Sequence, residues 1–530
     1  MRTTIIISFI VLLVHFHEPV IGQKNFTKEQ KEKLKEGDYY YKTGDYPGAM
    51  AIYLNLYPSD SGWAELNFKM GTCLFNTGGD TRDALGYFSR SVRNGNNEAR
   101  YYSALILHRQ NRIDDELKIL NQYISDPAKK KNIQVSEIDR QVEIANRAKV
   151  MFKNPVDTRI ENFGPIVNTK FPEYAPLIPG DESFLIFTSR RPGSTGGEVD
   201  PYGQYYEDIY IAYRDNRFWS DPVPLSANIN TFTHDAGTGL SGDGNSLIIY
   251  RTNENLKEGD IHLTRFDGKE WSVPQKLSIS INSAFNEPSA CLNVDGNILF
   301  FSSDRPGGLG GKDIYRVVMF PTGEWSLPMN LGSVINTPYD EDACYFHPDG
   351  VSLFFSSKGH ETMGGYDVFE SRLKENAVNY TDTNWTNPRN LGFPVNTTGN
   401  DIYFVLSTDG RRGYYSSERE EGYGKQDIYT LYMPVLENRM LVILKGTVKS
   451  DSGTPLKAKM AMVSEDAGAQ EGIFVSHAGT GKYLMILKPG VHYLLKISMP
   501  GFEDYEEKII YDQIEKTFEV EKNVVLKGKQ

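Results

Sequence analysis

The chain has 530 residues, a net charge of -12, 39% apolar residues, 27 Phe and 32 Tyr. That length holds three or four folded domains rather than one core, and the acidic balance excludes nucleic acid or an acidic membrane surface as the main partner. Only Cys73, Cys291 and Cys344 occur, which excludes a disulfide scaffold.

A basic start, the apolar run Ile5 to Val14, and the small residues Val20 and Gly22 predict an export signal over residues 1–22. The run is short for a bilayer, and no later segment approaches about 20 apolar residues, so no direct membrane span is expected. No Cys stands near the cleavage point to accept a lipid. The mature chain is expected in the periplasm or at the outer membrane.

Residues 26–152 show helical periodicity and a repeat of about 34 residues, with Gly44-Asp45, Gly79-Asp80 and Asn111-Arg112 at the turns and Ala49 and Ala84 at a small position. The pattern resembles tetratricopeptide repeats, in three degenerate copies. Such arrays bind partner proteins more often than they do chemistry. The segment Ser125 to Phe152 adds a helix expected to cap the stack.

Residues 155–435 repeat five times. An [IV]-N-[ST] triplet recurs at Asn168, Asn230, Asn282, Asn336 and Asn396, followed thirteen residues on by Asp181, Asp243, Asp295, Asp349 and Asp409. Each copy continues with an apolar strand, a polar loop and D-[IV]-[YFH] at Asp208, Asp260, Asp313, Asp367 and Asp427. W-[ST]-x-P closes four copies, at Trp219, Trp271, Trp325 and Trp385. Four short strands per repeat is the size of a propeller blade. The fifth outer strand is expected from Thr158 to Thr169, whose wording matches Trp325 to Thr337. Five blades, closed into a ring without open edges, follow. The strand wording resembles the PD40 or TolB-like repeats of bacterial envelope propellers.

Residues 441–530 alternate apolar and polar positions between Gly and Pro turns, which predicts a small β-sandwich. Gly446, Gly453, Pro455, Leu456, Gly481, Tyr483, Pro489, Gly490, Tyr493, Gly501 and Phe502 give it the pattern of the carboxypeptidase-regulatory or Cna-B-like module. The fold class is therefore multidomain: a tetratricopeptide-like helical array, a five-bladed β-propeller and a C-terminal β-sandwich. In that order behind an export signal, the domains resemble the PorE-like proteins of the Bacteroidetes type IX secretion and gliding apparatus. The resemblance implies envelope proteins as partners. No OmpA-like segment is found, so peptidoglycan binding is not expected.

Five residues after each repeat Asn stands a carboxylate: Glu173, Asp235, Glu287, Glu341 and Asp401. Arg191, Arg305 and Arg419 stand at +23 in repeats one, three and five, but Asn253 and Gly359 do so in two and four, leaving a cation within reach in only some repeats. Repeated in every blade, such a carboxylate most simply accepts backbone N–H bonds where a strand begins. Ligand or cation binding is the next reading, and acid-base catalysis the last. The Asp208, Asp260, Asp313, Asp367 and Asp427 column is read as tying down a Gly-rich loop. In repeat one that loop is longer and carries Tyr202, Tyr205 and Tyr206, a candidate contact surface or a lid folded on its own propeller.

Phe301 to Tyr315, FSSDRPGGLGGKDIY, is not a phosphate loop, because Asp313 follows Gly311-Lys312 and Pro306 stands where a first glycine belongs. No cofactor, metal motif or enzyme signature is found. Cys291 and Cys344, at +9 and +8 of adjacent repeats, are expected to face opposite ways as buried free thiols. The expected function is a non-enzymatic exported adaptor using the helical repeats and the loop-rich blade face. The rivals are a carbohydrate-binding or glycoside-cleaving propeller using the carboxylate ring, and an inert spacer.

Overall fold

The computed structural model describes residues 26–78, 81–126, 133–200, 203–215, 218–256, 258–374, 384–433, 440–465, 469–511 and 518–529. The expected export signal, the Gly79-Asp80 turn and Tyr202 lie outside the described residues. Two compact units divide the chain, one of residues 1–107 and 114–138, the other of residues 108–113 and 139–530.

The first unit is helical. Its elements are α1 (Lys28–Thr43), α2 (Tyr46–Leu56), α3 (Ala64–Thr77), α4 (Thr81–Arg93), α5 (Glu98–Arg109), α6 (Ile113–Ser125) and the start of α7 (Val135–Lys153). Thr27 opens α1 with a capping box to Gln30, and Asp45 caps α2 by accepting from Gly48 N. Ala49 and Ala84 are buried, so the small positions read from sequence are where helices meet. Tyr53, Leu66, Met70 and Cys73 form one core cluster around Ala49, and Phe68, Phe88, Ala99 and Ile106 form the next around Ala84. From Asp139 onward α7 belongs to the second unit.

The second unit holds five antiparallel sheets of the repeated wording. From inner to outer strand the first runs Glu173–Leu177, Phe184–Ser189, Asp208–Asp215, then the short Phe218–Trp219 and Val223–Pro224. The fifth runs Asp401–Leu406, Arg412–Ser417, Asp427–Tyr432, and takes Arg159–Asn162 as its outer strand, with Arg159 opposite Tyr432 and Asn162 opposite Tyr429. The first strands of successive sheets touch in cyclic order, the fifth returning to the first. Second strands such as Ile298–Ser303 and Ser352–Ser357 are buried throughout, because each is covered on both faces by neighbouring sheets.

The innermost strands are bulged. Register shifts between Tyr174 and Leu177, Asp342 and Tyr345, and Ile402 and Val405 coincide with left-handed backbone at Ala175 (φ 51), Ala343 (φ 50) and Tyr403 (φ 60). One of these bulges corrects the cysteine expectation. The extra residue at Ala343 re-aims Cys344, and its Sγ lies 3.7 Å from Cys291 Sγ; both are buried free thiols on the same side. Strict alternation holds only along an unbulged strand.

Two further sheets follow. One pairs Val442–Ser450 with Lys482–Leu487, Phe518–Glu521 and Val524–Leu526, and the other runs Ala469–Val475, Lys459–Ser464, Tyr493–Ser498, Tyr505–Ile509. Leu444, Val448, Met460, Met485, Leu495 and Ile497 from both sheets share one core. Ile486 points the other way, toward Gly180 and Gly242 of the first and second sheets. A Cβ on either glycine would stand 2.9 Å from Ile486 Cδ1, so a larger residue there would displace the end of the Ile486 side chain.

Candidate functional site

The repeat triplet and its carboxylate form a staple. Glu173, Asp235, Glu287, Glu341 and Asp401 each accept the backbone N–H of the triplet Thr or Ser at 2.6 to 3.0 Å and its hydroxyl at 2.7 to 2.9 Å. In four sheets a second-strand serine donates as well: Ser189, Ser303, Ser357 and Ser417, at 2.5 to 2.7 Å. All five carboxylates are buried. They therefore do not form an open acidic ring, and this corrects their assignment to a binding face. Their lone pairs are spent inside the fold, as buried polar groups require.

Cations follow the staple in an irregular way. Arg191 lies 3.4 Å from Glu173 and Arg305 lies 3.1 Å from Glu287. Arg419 donates to Pro394 O at 2.6 Å and Val395 O at 3.2 Å beside Asp401. The second sheet, expected to lack a cation, has Arg251 at 2.5 Å from Asp235. Arg251 occupies the serine position, two residues before the expected column, and a period of two puts both positions on one side of a strand. Among the described residues the fourth sheet alone has no arginine at its staple. His360 Nε2 stands 2.8 Å from Ile335 O, the carbonyl position that Arg305 Nη2 meets on Ile281 at 2.6 Å. Burial pushes Glu341 up to about 7, Asp401 up to about 6, and raises Glu173 and Asp235 against their hydrogen bonds.

Each repeat Asn reaches back to the preceding sheet. Asn230 accepts from Ile209 N and donates to Ile209 O; Asn282 does so with Ile261, Asn336 with Ile314, Asn396 with Val368, and Asn168 with Ile428, at 2.7 to 3.0 Å. The last pair joins the fifth sheet to the first. The adjacent Asp column organises loops in four sheets. Asp208 accepts from Thr195 N, Asp313 from Leu309 N, Asp367 from Met363 N and Asp427 from Tyr423 N, at 2.6 to 2.8 Å. Asp260 departs from this and pairs with Lys276 at 2.7 Å. The glycines of these loops are close-approach points as well as turns. A Cβ on Gly310 would meet Pro338 C at 2.2 Å, in the loop leading into the next sheet.

On the same face a polar cluster that the repeat pattern does not reveal fills the space between the first strands. Glu207 accepts from the Tyr174 hydroxyl and pairs with His234 at 2.8 Å. Asp342 pairs with Lys312 and accepts from Ser289 Oγ at 2.5 Å, while Asp340 pairs with Lys358 at 2.8 Å. Tyr403 stacks on Tyr174 with centroids 5.8 Å apart. Burial opposes ionisation of Glu207, but His234 and Tyr174 outweigh it and hold the carboxyl below its usual range. Burial pushes the Tyr366 and Tyr403 hydroxyls up. Below this cluster the two cavities along the first strands measure about 20 Å³ each.

The long loop of the first sheet folds onto its own sheet: Arg190 pairs with Asp200 at 2.6 Å and donates to Tyr205 O at 2.8 Å. Tyr205 meets the Phe171 ring at 5.9 Å, and Tyr206 meets the His234 ring at 4.4 Å. The loop-rich side of the fourth and fifth sheets is occupied by the chain itself. The Arg140 guanidinium lies 3.9 Å above the Tyr339 ring, Arg147 donates to Thr362 O at 2.8 Å, and Thr398 Oγ donates to Asn111 at 2.9 Å. At the position matching Tyr339, Phe285 is 48% exposed, and Phe232, one residue earlier in its repeat, is 59% exposed.

Among the described residues no group of three or more His, Cys, Asp or Glu is placed to hold a metal ion, and no helix is long and apolar enough to cross a membrane. No protein-family model matches the chain, and no curated protein matches it. Among solved structures it is similar to a glycoside hydrolase at 13% identity, over 55% of this chain and 95% of that one, with a TM-score of 0.38. TolB from Acinetobacter baumannii is similar at 13% identity over 69% and 68%, with a TM-score of 0.28. The Yersinia enterocolitica type III secretion chaperone SycD, in complex with a peptide of the translocator YopD, is similar at 15% identity over 23% and 97%, with a TM-score of 0.22.

Proposed function

We propose that the five sheets form a five-bladed PD40-type propeller and that the chain is an exported adaptor of the envelope, of the PorE-like kind found with type IX secretion and gliding machinery. In this reading it holds protein partners through its tetratricopeptide-like helices and the loop-rich side of its first three sheets, and catalyses nothing. The observation that carries the reading is the seating of Arg140 on Tyr339. An arginine from a helix already rests on a rim aromatic of this face, and Phe285 at the matching position, with Phe232 one residue earlier in its own repeat, is an exposed aromatic on the loops of the neighbouring sheets. The nearby loop sequences carry Glu254, Glu258 and Asp304 against Lys257, an acidic balance that fits a partner helix bearing arginine or lysine. The buried staple carboxylates and the small cavities along the first strands weigh against a sugar being cleaved inside the ring.

Affinity capture from solubilised cell envelopes tests the proposal. The full chain should retain discrete envelope proteins, and the double variant Phe232→Ala, Phe285→Ala should lose them while remaining folded by circular dichroism. Capture of no envelope protein, or capture unaffected by the double variant, defeats it. Hydrolysis of a glycan abolished by Tyr403→Phe would favour the enzymatic rival instead.

A further inference from the structure

We infer that the cleft between the first two sheets of the ring and the C-terminal sandwich is a binding site for a neutral oligosaccharide. The cleft has a volume of about 620 Å³, inside the roughly 300 to 1,000 Å³ range of small-ligand sites.

Its two walls differ in chemistry. One is aromatic: Phe184 and Tyr213 meet edge to face at 6.5 Å, and Phe266 packs on Trp271 at 5.4 Å. The other is a sheet face, because Lys445 pairs with Leu484 and Thr447 with Lys482, which puts these four side chains on one side. A pyranose ring has the matching asymmetry, a patch of C–H groups on its faces and hydroxyls around its edge. Its C–H patch loses water against the aromatic wall, and its hydroxyls find donors and acceptors opposite.

Charge selects against an anionic ligand. Asp181 has Lys445 at 3.9 Å, although Lys445 pairs more closely with Glu519 at 2.5 Å, and Asp243 accepts from the Asn245 backbone at 3.0 Å and from Ser241. Lys482 opposes Glu521, which leaves the lining with more carboxylates than lysines.

The walls are held apart by fixed contacts. Ala478 N donates to Asp267 O at 3.2 Å, and the His477 ring meets Phe266 at 5.5 Å and hydrogen-bonds the Asn245 side chain. A preformed cleft loses little entropy on binding. Tyr213, 55% exposed, stands at its mouth.

Titration calorimetry of the full chain with cellotriose, xylotriose, mannotriose, chitotriose and acidic trigalacturonate tests this site, which does not rest on the protein-binding reading. At least one neutral sugar should bind, and Tyr213→Ala and Lys482→Ala should each weaken it about tenfold, or about 1.4 kcal/mol. Phe285→Ala should leave sugar binding unchanged while impairing envelope-protein capture, so the two readings fail separately. No binding by any neutral sugar at about 10 mM, tighter binding of trigalacturonate, or affinity unmoved by both cleft variants overturns the inference.

Discussion

His360 takes in the fourth sheet the place that Arg305 takes in the third, each donating to the carbonyl just before its repeat Asn, at 2.8 and 2.6 Å. The exchange leaves Glu341 buried without a cation, where Glu287 has Arg305 at 3.1 Å. Burial also lowers the pKa of His360, so the imidazole does not replace the lost charge near neutrality.

Stability should therefore fall as pH rises toward neutrality. Burial pushes Glu341 and Asp367 up to about 7. Between the ordinary carboxylate range and that value the folded chain binds more protons than the unfolded one, so the stabilisation is complete below the ordinary range, falls progressively as pH rises to about 7, and is gone above it. Buried histidines with lowered pKa act in the opposite sense, so the comparison is made against a variant that keeps them. Across mildly acid to neutral pH the thermal midpoint should fall relative to that of Glu341→Gln, and above about 7 the two should run parallel. An unchanged slope in the variant would remove Glu341 from this account.

Truncating a paired staple should be costly. Glu287→Ala leaves the Arg305 guanidinium, 11% exposed, without its carboxylate, and breaking such a pair costs about 3 to 5 kcal/mol. Chemical denaturation should place Arg251→Ala in the same range, because Asp235 loses its ion pair with Arg251 at 2.5 Å. A loss under about 1 kcal/mol would mean that the staple is surface-like.

Gly310→Ala should destabilise by about 1 to 3 kcal/mol, because the new methyl collides with the backbone of Pro338 and Thr337 at 2.2 and 2.4 Å. In contrast Gly86→Ala, in α4 with its nearest neighbour Arg90 at 3.8 Å, should stabilise by about 1 kcal/mol. Denaturation midpoints of the two variants should move in opposite directions.

The thiols of Cys291 and Cys344, 3.7 Å apart, should join when the chain is refolded with oxidised glutathione. Two thiols give up two protons and two electrons to one glutathione disulfide, releasing two reduced glutathiones. The intact mass should drop by two hydrogens and alkylation should find only Cys73. Recovery of all three thiols would show that the strands hold the sulfurs apart.

The repeat made the staple carboxylates, the loop-organising Asp column and the borrowed strand Arg159–Asn162 legible, because each is a residue type recurring at a fixed offset. What the Asn does was not legible, since its partner is on another sheet, as with Asn168 and Ile428. Arg251 was missed because it stands in the serine place. The facing thiols were missed because a left-handed residue, Ala343, resets the alternation. The polar cluster of Tyr174, Glu207, Asp342 and Tyr403 joins residues of single repeats, so no periodicity marks it.

The strand Arg159–Asn162 has a temporal consequence. Thr158 bonds Tyr432 across 274 residues of sequence, so the strand made first waits for the sheet made last. No subset of these five sheets emerging from the ribosome supplies both strands of this pair, and its hydrogen bonds close a loop of 274 residues.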